Sequence, residues 1–194
     1  IASADARTGG PEGAEELLRN ADVAMYMAKE AGKGRYQVFE PAMHDTALQR
    51  LELKADLQRA VDNGEFVLHY QPIMDLHTAR LIGFEALIRW NHPRQGMIYP
   101  LEFIPLAEET GLIVEVGEWA LNKAAQTYCE WLDHGFEAPR IAVNVSPIQL
   151  RQKSFLEMVK NVIERAPRAR NGLDIEITES FIMENTEDNI AKLK

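Results

Sequence analysis

A carboxylate, Glu85, stands in the middle of an apolar run over residues 81–88 that otherwise reads as a buried strand. Burying an unpaired carboxylate costs several kcal/mol or more, so such a residue needs a partner or a task. Two later runs repeat the pattern. Residues 141–146 carry Asn144 among Ile141, Val143 and Val145, and residues 173–179 carry Asp174, Glu176 and Glu179 among Leu173, Ile175 and Ile177. Strand side chains alternate between faces. On that period Glu85 shares a face with Leu87 and Arg89, Asn144 with Ala142 and Ser146, and Glu176 with Asp174 and Thr178. The opposite faces keep Phe84, Ala86 and Ile88, then Val143 and Val145, then Ile175 and Ile177. Each strand therefore offers one hard oxygen to a shared interior. Oxygen-only ligands drawn from several strands suit Mg2+, Mn2+ or Ca2+ far better than zinc.

The elements that must position these residues follow from spacing. Leu17, Ala21, Ala24, Met25 and Ala28 recur at helical intervals after Pro11, and Gly32 offers a stop. A second amphipathic helix is expected over residues 43–62, with Ala47, Leu51 and Ala55 on one stripe and Leu53, Leu57 and Val61 on another. Two stripes suit a connector, a helix between domains or a dimer contact, and a buried connector is the simplest of the three. Phe66, Leu68 and Tyr70 alternate with Val67, His69 and Gln71 in a strand, and a polar turn over 75–80 leads to the strand at 81–90. A connection that short makes the pair antiparallel. Helices over 101–110 and 112–134, the Asn144 strand, a helix over 154–165, the Glu176 strand and a polar helix opening near Thr186 then alternate as βα units, which predicts parallel strands. A (β/α)8 barrel takes about 250 residues, so about half of one would be expected here.

The words around the candidate residues resemble a family. They are Tyr70-Gln71-Pro72-Ile73, Gly83-Phe84-Glu85-Ala86-Leu87-Ile88-Arg89-Trp90-Asn91-His92-Pro93, the segment from Phe103 to Ile113, Val143-Asn144-Val145-Ser146-Pro147, Gln149-Leu150 and Glu176-Ile177-Thr178-Glu179-Ser180. Together, over roughly residues 48 to 194, they resemble the EAL family of cyclic-di-GMP phosphodiesterases. Residues 20–29 and 32–36 resemble the C-terminal end of a GGDEF diguanylate cyclase domain. The resemblances imply an α/β chain: residues 1–41 as a GGDEF remnant, and residues 42–194 as a linker helix and the N-terminal portion of an EAL-type, TIM-like (β/α) barrel with an antiparallel first strand. They imply metal-assisted hydrolysis of cyclic-di-GMP to linear pGpG by the intact parent, of which this chain is a fragment expected to be inactive alone. Glu85, Asn144 and Glu176 would hold Mg2+ or Mn2+, with Glu85 catalytic through the metal. Gln71, Leu87, Arg89 and Gln149 would contact the substrate, Arg89 at a phosphate, and Glu179 would steady a loop, while Gln149, following Ser146-Pro147, reads equally as a helix-start residue. Lys29 and Lys33 would contact phosphate on the GGDEF side.

Composition narrows the alternatives. The chain is 46% hydrophobic and 26% charged, which is globular, and it has no apolar run near the length of a membrane span. A net charge of −9 argues against a DNA or RNA polymer as partner, so an anionic dinucleotide would need cations and local arginines. The lone Cys129 fits a reducing cytoplasm, with a membrane anchor only if the parent carries one upstream. His44, His69, His77, His92 and His134 show no zinc spacing, and no serine sits in a nucleophile elbow. Two other readings stay open: a catalytically inactive EAL-type receptor for cyclic-di-GMP, and a protein-interaction module, with a homodimer through the EAL portion among the expected contacts.

Overall fold

A computed structural model of the chain describes residues 11–30, 34–136 and 139–177. The chain divides into two compact units, Ile1–Asp56 and Leu57–Lys194. Lys33, Glu179 and the helix expected near Thr186 lie outside the described residues.

The first unit holds helix α1, Pro11–Glu30, and most of helix α2, Ala42–Asp62. Of the α1 stripe that the spacing predicts, Ala24 and Ala28 are buried, Leu17 and Ala21 are half-buried and Met25 is exposed. His44 on α2 lies 2.9 Å from the Asn20 side chain, its ring meets Phe39 edge-on at 5.2 Å, and Arg50 lies over the Tyr26 ring. Only one of the two α2 stripes is covered. Leu53 and Leu57 are buried with Ala60, whereas Leu51 is 62% exposed.

The second unit is a mixed sheet with helices on one face. Strands β1 (Phe66–Met74) and β2 (Leu81–His92) pair antiparallel, β2 pairs parallel with β4 (Arg140–Val145), and β4 pairs parallel with β5 (Leu173–Ile177). The turn between β1 and β2 closes on Asp75, which accepts from the backbone N–H of His77 and from both the N–H and hydroxyl of Thr78. The strand expected to stop at Trp90 runs on to His92, because a three-residue strand, β3 (Gly96–Ile98), returns along its end. The buried ring of His92 holds that return, its Nδ1 accepting from the N–H groups of Arg94 and Gln95. Helices α3 (Pro100–Thr110) and α4 (Ile113–Asp133) are separated by Gly111, whose φ of 81° is left-handed and closes α3. A short helix α5 (Pro147–Arg151), helix α6 (Phe155–Arg165) and a 3-10 turn (Pro167–Asn171) complete the unit.

The core lies between the sheet and its helices. Ala86, Ile141 and Val143 pack against Ala120, Leu121, Ala124 and Ala125 of α4, where alanines let the helix approach the strands. At one end Phe66, Trp90, Phe103 and Trp119 stack as a ring cluster. Two glycines permit close approach elsewhere. A Cβ on Gly172 would fall 2.1 Å from the Tyr128 ring, and one on Gly117 would fall 1.8 Å from the Gln149 side chain.

Candidate metal and anion site

Strand register brings the predicted residues onto one face. Glu85 stands opposite Gln71 of β1 on one side and Ala142 of β4 on the other, and Asn144 stands opposite Glu176 of β5. Directly paired residues share a face, so Gln71, Glu85, Leu87, Arg89, Asn144 and Glu176 all project from the side of the sheet that α4 does not cover. The Asn144 amide donates from Nδ2 to Glu85 Oε1 at 2.7 Å. Glu85 is tolerated in an apolar strand because it is half-buried on this open face and not in the core, and the bond orients its carboxylate. The bond also leaves Asn144 Oδ1 as an acceptor, so the pair presents oxygens only. Glu176 titrates above the usual carboxylate range, first because the sheet desolvates it and then because the charges of Glu85 and Asp174 stand near. Asp174 forms an ion pair with Arg140.

The donor set fits a hard cation. Three carboxylates crowd one face and raise the cost of ionising Glu176, a cost that a divalent ion would relieve. Among the described residues no group of three or more His, Cys, Asp or Glu could hold a metal ion, so this set depends on the Asn144 amide oxygen.

Arg89 does not pair with Glu85. Its Nη1 donates to the Ile88 carbonyl at 2.8 Å, and its guanidinium lies 5.2 Å from the centre of the Tyr99 ring. Gln149, expected at the ligand, is only 2% exposed and turns away from the cluster. Its Oε1 accepts from the Ser146 N–H, its Nε2 is buried without a hydrogen bond, and it lies against Gly117, so this side chain shapes the turn after β4. The Ser146 hydroxyl donates to Glu108 of α3 at 2.6 Å, which ties that turn to the helix. Lys29 is exposed in the last turn of α1, in the other unit.

A family model for the EAL domain matches residues 54–194. The chain belongs to the EAL domain family. This EAL domain chain is 41% identical over 179 residues to the bifunctional diguanylate cyclase/cyclic di-GMP phosphodiesterase MucR of Pseudomonas aeruginosa, covering 92% of the chain and 26% of that protein. It is 39% identical over 171 residues to the cyclic di-GMP phosphodiesterase PdeR of Escherichia coli, covering 88% of the chain and 26% of that protein. A solved structure of PaMucR phosphodiesterase in complex with c-di-GMP superposes with a TM-score of 0.70 at 40% identity, covering 73% of this chain and 57% of that one. The chain thus spans about a quarter of the length of these curated relatives. No helix among the described residues is long and apolar enough to cross a membrane.

The geometry of the EAL domain adds residues that sequence reasoning passed over. His69 stands opposite Leu87 on the same open face, as alternation from Gln71 already implied. Glu108 and Tyr99 had no such signal, because Glu108 meets the turn after β4 from a helix and Tyr99 lies one residue past a strand too short to show a period.

Proposed function

We propose that the protein carrying this chain hydrolyses cyclic-di-GMP to linear pGpG, with water adding across one phosphodiester so that a P–O bond to water forms as the bond to the ribose oxygen breaks. The observation that carries this reading is the Glu85–Asn144 bond of 2.7 Å with Glu176 at the adjoining register position. These three residues would hold Mg2+ or Mn2+, which when bound lowers the pKa of coordinated water and neutralises charge on the phosphate oxygens. Glu85 supplies a fixed anionic oxygen, and its bond from Asn144 fixes the carboxylate's orientation. Arg89 presents a planar fork suited to a phosphate, the chemistry for which guanidinium is preferred over ammonium. Gln71 stands beside Glu85 to donate or accept at the ligand, and Leu87 supplies an apolar surface between Glu85 and Arg89. The resemblance assigns Glu179 to loop support.

Residues 1–41 are read as the end of a GGDEF domain and 42–194 as linker helix and EAL portion. The likeness to bifunctional MucR supports this, since it covers 92% of the chain whereas the EAL match begins at residue 54. Lys29 and Lys33 would then face nucleotide phosphates in that neighbouring domain.

The test is turnover of cyclic-di-GMP by the full-length protein in a metal titration, with Glu85→Gln beside wild type. The substitution keeps shape and hydrogen bonding but removes one charge from a site built for cations. Hydrolysis is expected to fall by about a hundredfold or more, with an unchanged circular dichroism spectrum. Wild-type turnover and metal dependence in the variant would remove Glu85 from the metal site. Binding of cyclic-di-GMP without turnover by wild type would establish the receptor reading instead.

A further inference from the structure

The register that ends at β3 carries a consequence for Arg89. Trp90 pairs with Ile98, so the next step of the antiparallel ladder sets Arg89 opposite Tyr99, whose backbone is still extended at φ −89° and ψ 156°. Trp90 and Ile98 are buried on the helix-covered side, at 0% and 3% exposure, so Arg89 and Tyr99 share the open face with Glu85. Tyr99 is 55% exposed and its ring has the Arg89 guanidinium 5.2 Å from its centre, within cation–π range.

One carboxylate of the open face lies within side-chain reach of Arg89. Glu85 lies four residues back on the same face, roughly 13 Å along the strand at ordinary strand rise, and two long side chains at that spacing can fold toward each other. Such a pair would occupy a candidate metal ligand and the candidate anion anchor at once. Resting on the proposed function, we infer that Tyr99 is the positioning residue for Arg89: its ring holds the guanidinium at the far end of β2, keeping it open to a ligand phosphate and away from Glu85. The ring acts through Arg89. It needs no contact of its own with the ligand. The phenolic hydroxyl has no part in this, so phenylalanine serves equally at the position.

The test is calorimetric titration of the full-length protein with cyclic-di-GMP in EDTA, where hydrolysis does not intervene, and a separate titration with Mn2+ alone. Tyr99→Leu is expected to weaken cyclic-di-GMP binding about fivefold, the range of a cation–π contact at a partly exposed site. It is also expected to weaken Mn2+ binding, because the released Arg89 competes for Glu85. Tyr99→Phe should restore both to within about twofold of wild type. In an Arg89→Ala background, Tyr99→Leu should add nothing to either constant. The inference is overturned if Tyr99→Leu matches wild type in both titrations, if Tyr99→Phe is as weak as Tyr99→Leu, or if the leucine effect persists undiminished without Arg89, which would mark direct stacking on a base. Failure of wild type to bind cyclic-di-GMP in EDTA and also to bind or hydrolyse it with Mn2+ present would instead remove the proposed function, and this inference with it.

Discussion

Glu176 ionises less readily than an ordinary glutamate because the sheet desolvates it and because Glu85 and Asp174 stand close by. On the proposed reading, the same crowding would give a cation its purchase. Addition of Mn2+ or Mg2+ is therefore expected to raise the melting temperature of the protein by a few degrees, roughly 1 kcal/mol for a chain of this size. Glu176→Gln should cut that rise by half or more. Scanning fluorimetry against sodium chloride at matched ionic strength checks it, and an equal rise with sodium would mean screening rather than binding. At this scale Glu85, Asn144 and Glu176 were legible from the sequence as polar residues of one sheet face, because each sits in an apolar run where a carboxylate or amide is conspicuous. Gln149 was not. Its role depends on Gly117, 32 positions earlier in the chain, leaving room for its side chain, and no local pattern carries that fact.

The elements were readable wherever a period had room to repeat. Five or more residues of alternation marked β1, β2, β4 and β5, and a short polar turn made the first pair antiparallel. Three-residue β3, five-residue α5 and the 3-10 turn are too short to show any period; β3 is held by the adjoining end of β2, and the other two by contacts distant in sequence. One such contact is Gly172 against the Tyr128 ring. Gly172→Ala would push a methyl group into a rigid aromatic face and should destabilise by about 2 kcal/mol, seen as a lower denaturation midpoint with an unchanged denaturant slope. The turn between β1 and β2 responds to pH. Three bonds hold the Asp75 carboxylate below the usual range, those from Thr78 first. Its contribution is thus complete above the ordinary aspartate value and is lost as pH falls through its lowered one. Protection of the Thr78 amide, its exchange rate relative to the intrinsic rate at the same pH, should fall over that window, and Asp75→Ala should show the low protection at neutral pH.

On the scale of the second unit, helices cover one face of the sheet and leave the other to the polar side chains. Among the described residues β5 ends the sheet, and a groove lined by Leu121, Val159, Val162, Ile163, Leu173 and Ile175 runs beside it, with Ile175 37% exposed. An edge of this kind invites pairing. The 194-residue chain alone is expected to associate as its concentration rises, by sedimentation velocity; a concentration-independent monomer with a sharp reversible melt would count against it. The two faces also divide what selection can act upon. Along β2, Phe84, Ala86, Ile88 and Trp90 answer to the helices, while Glu85, Leu87 and Arg89 answer to whatever lies on the open side. A library of all single substitutions through this strand would therefore resolve into two interleaved populations: variants lost from the cell for want of a folded protein, and abundant variants that have fallen silent. A lineage could rewrite its response by drifting through the second set, at little cost to the first.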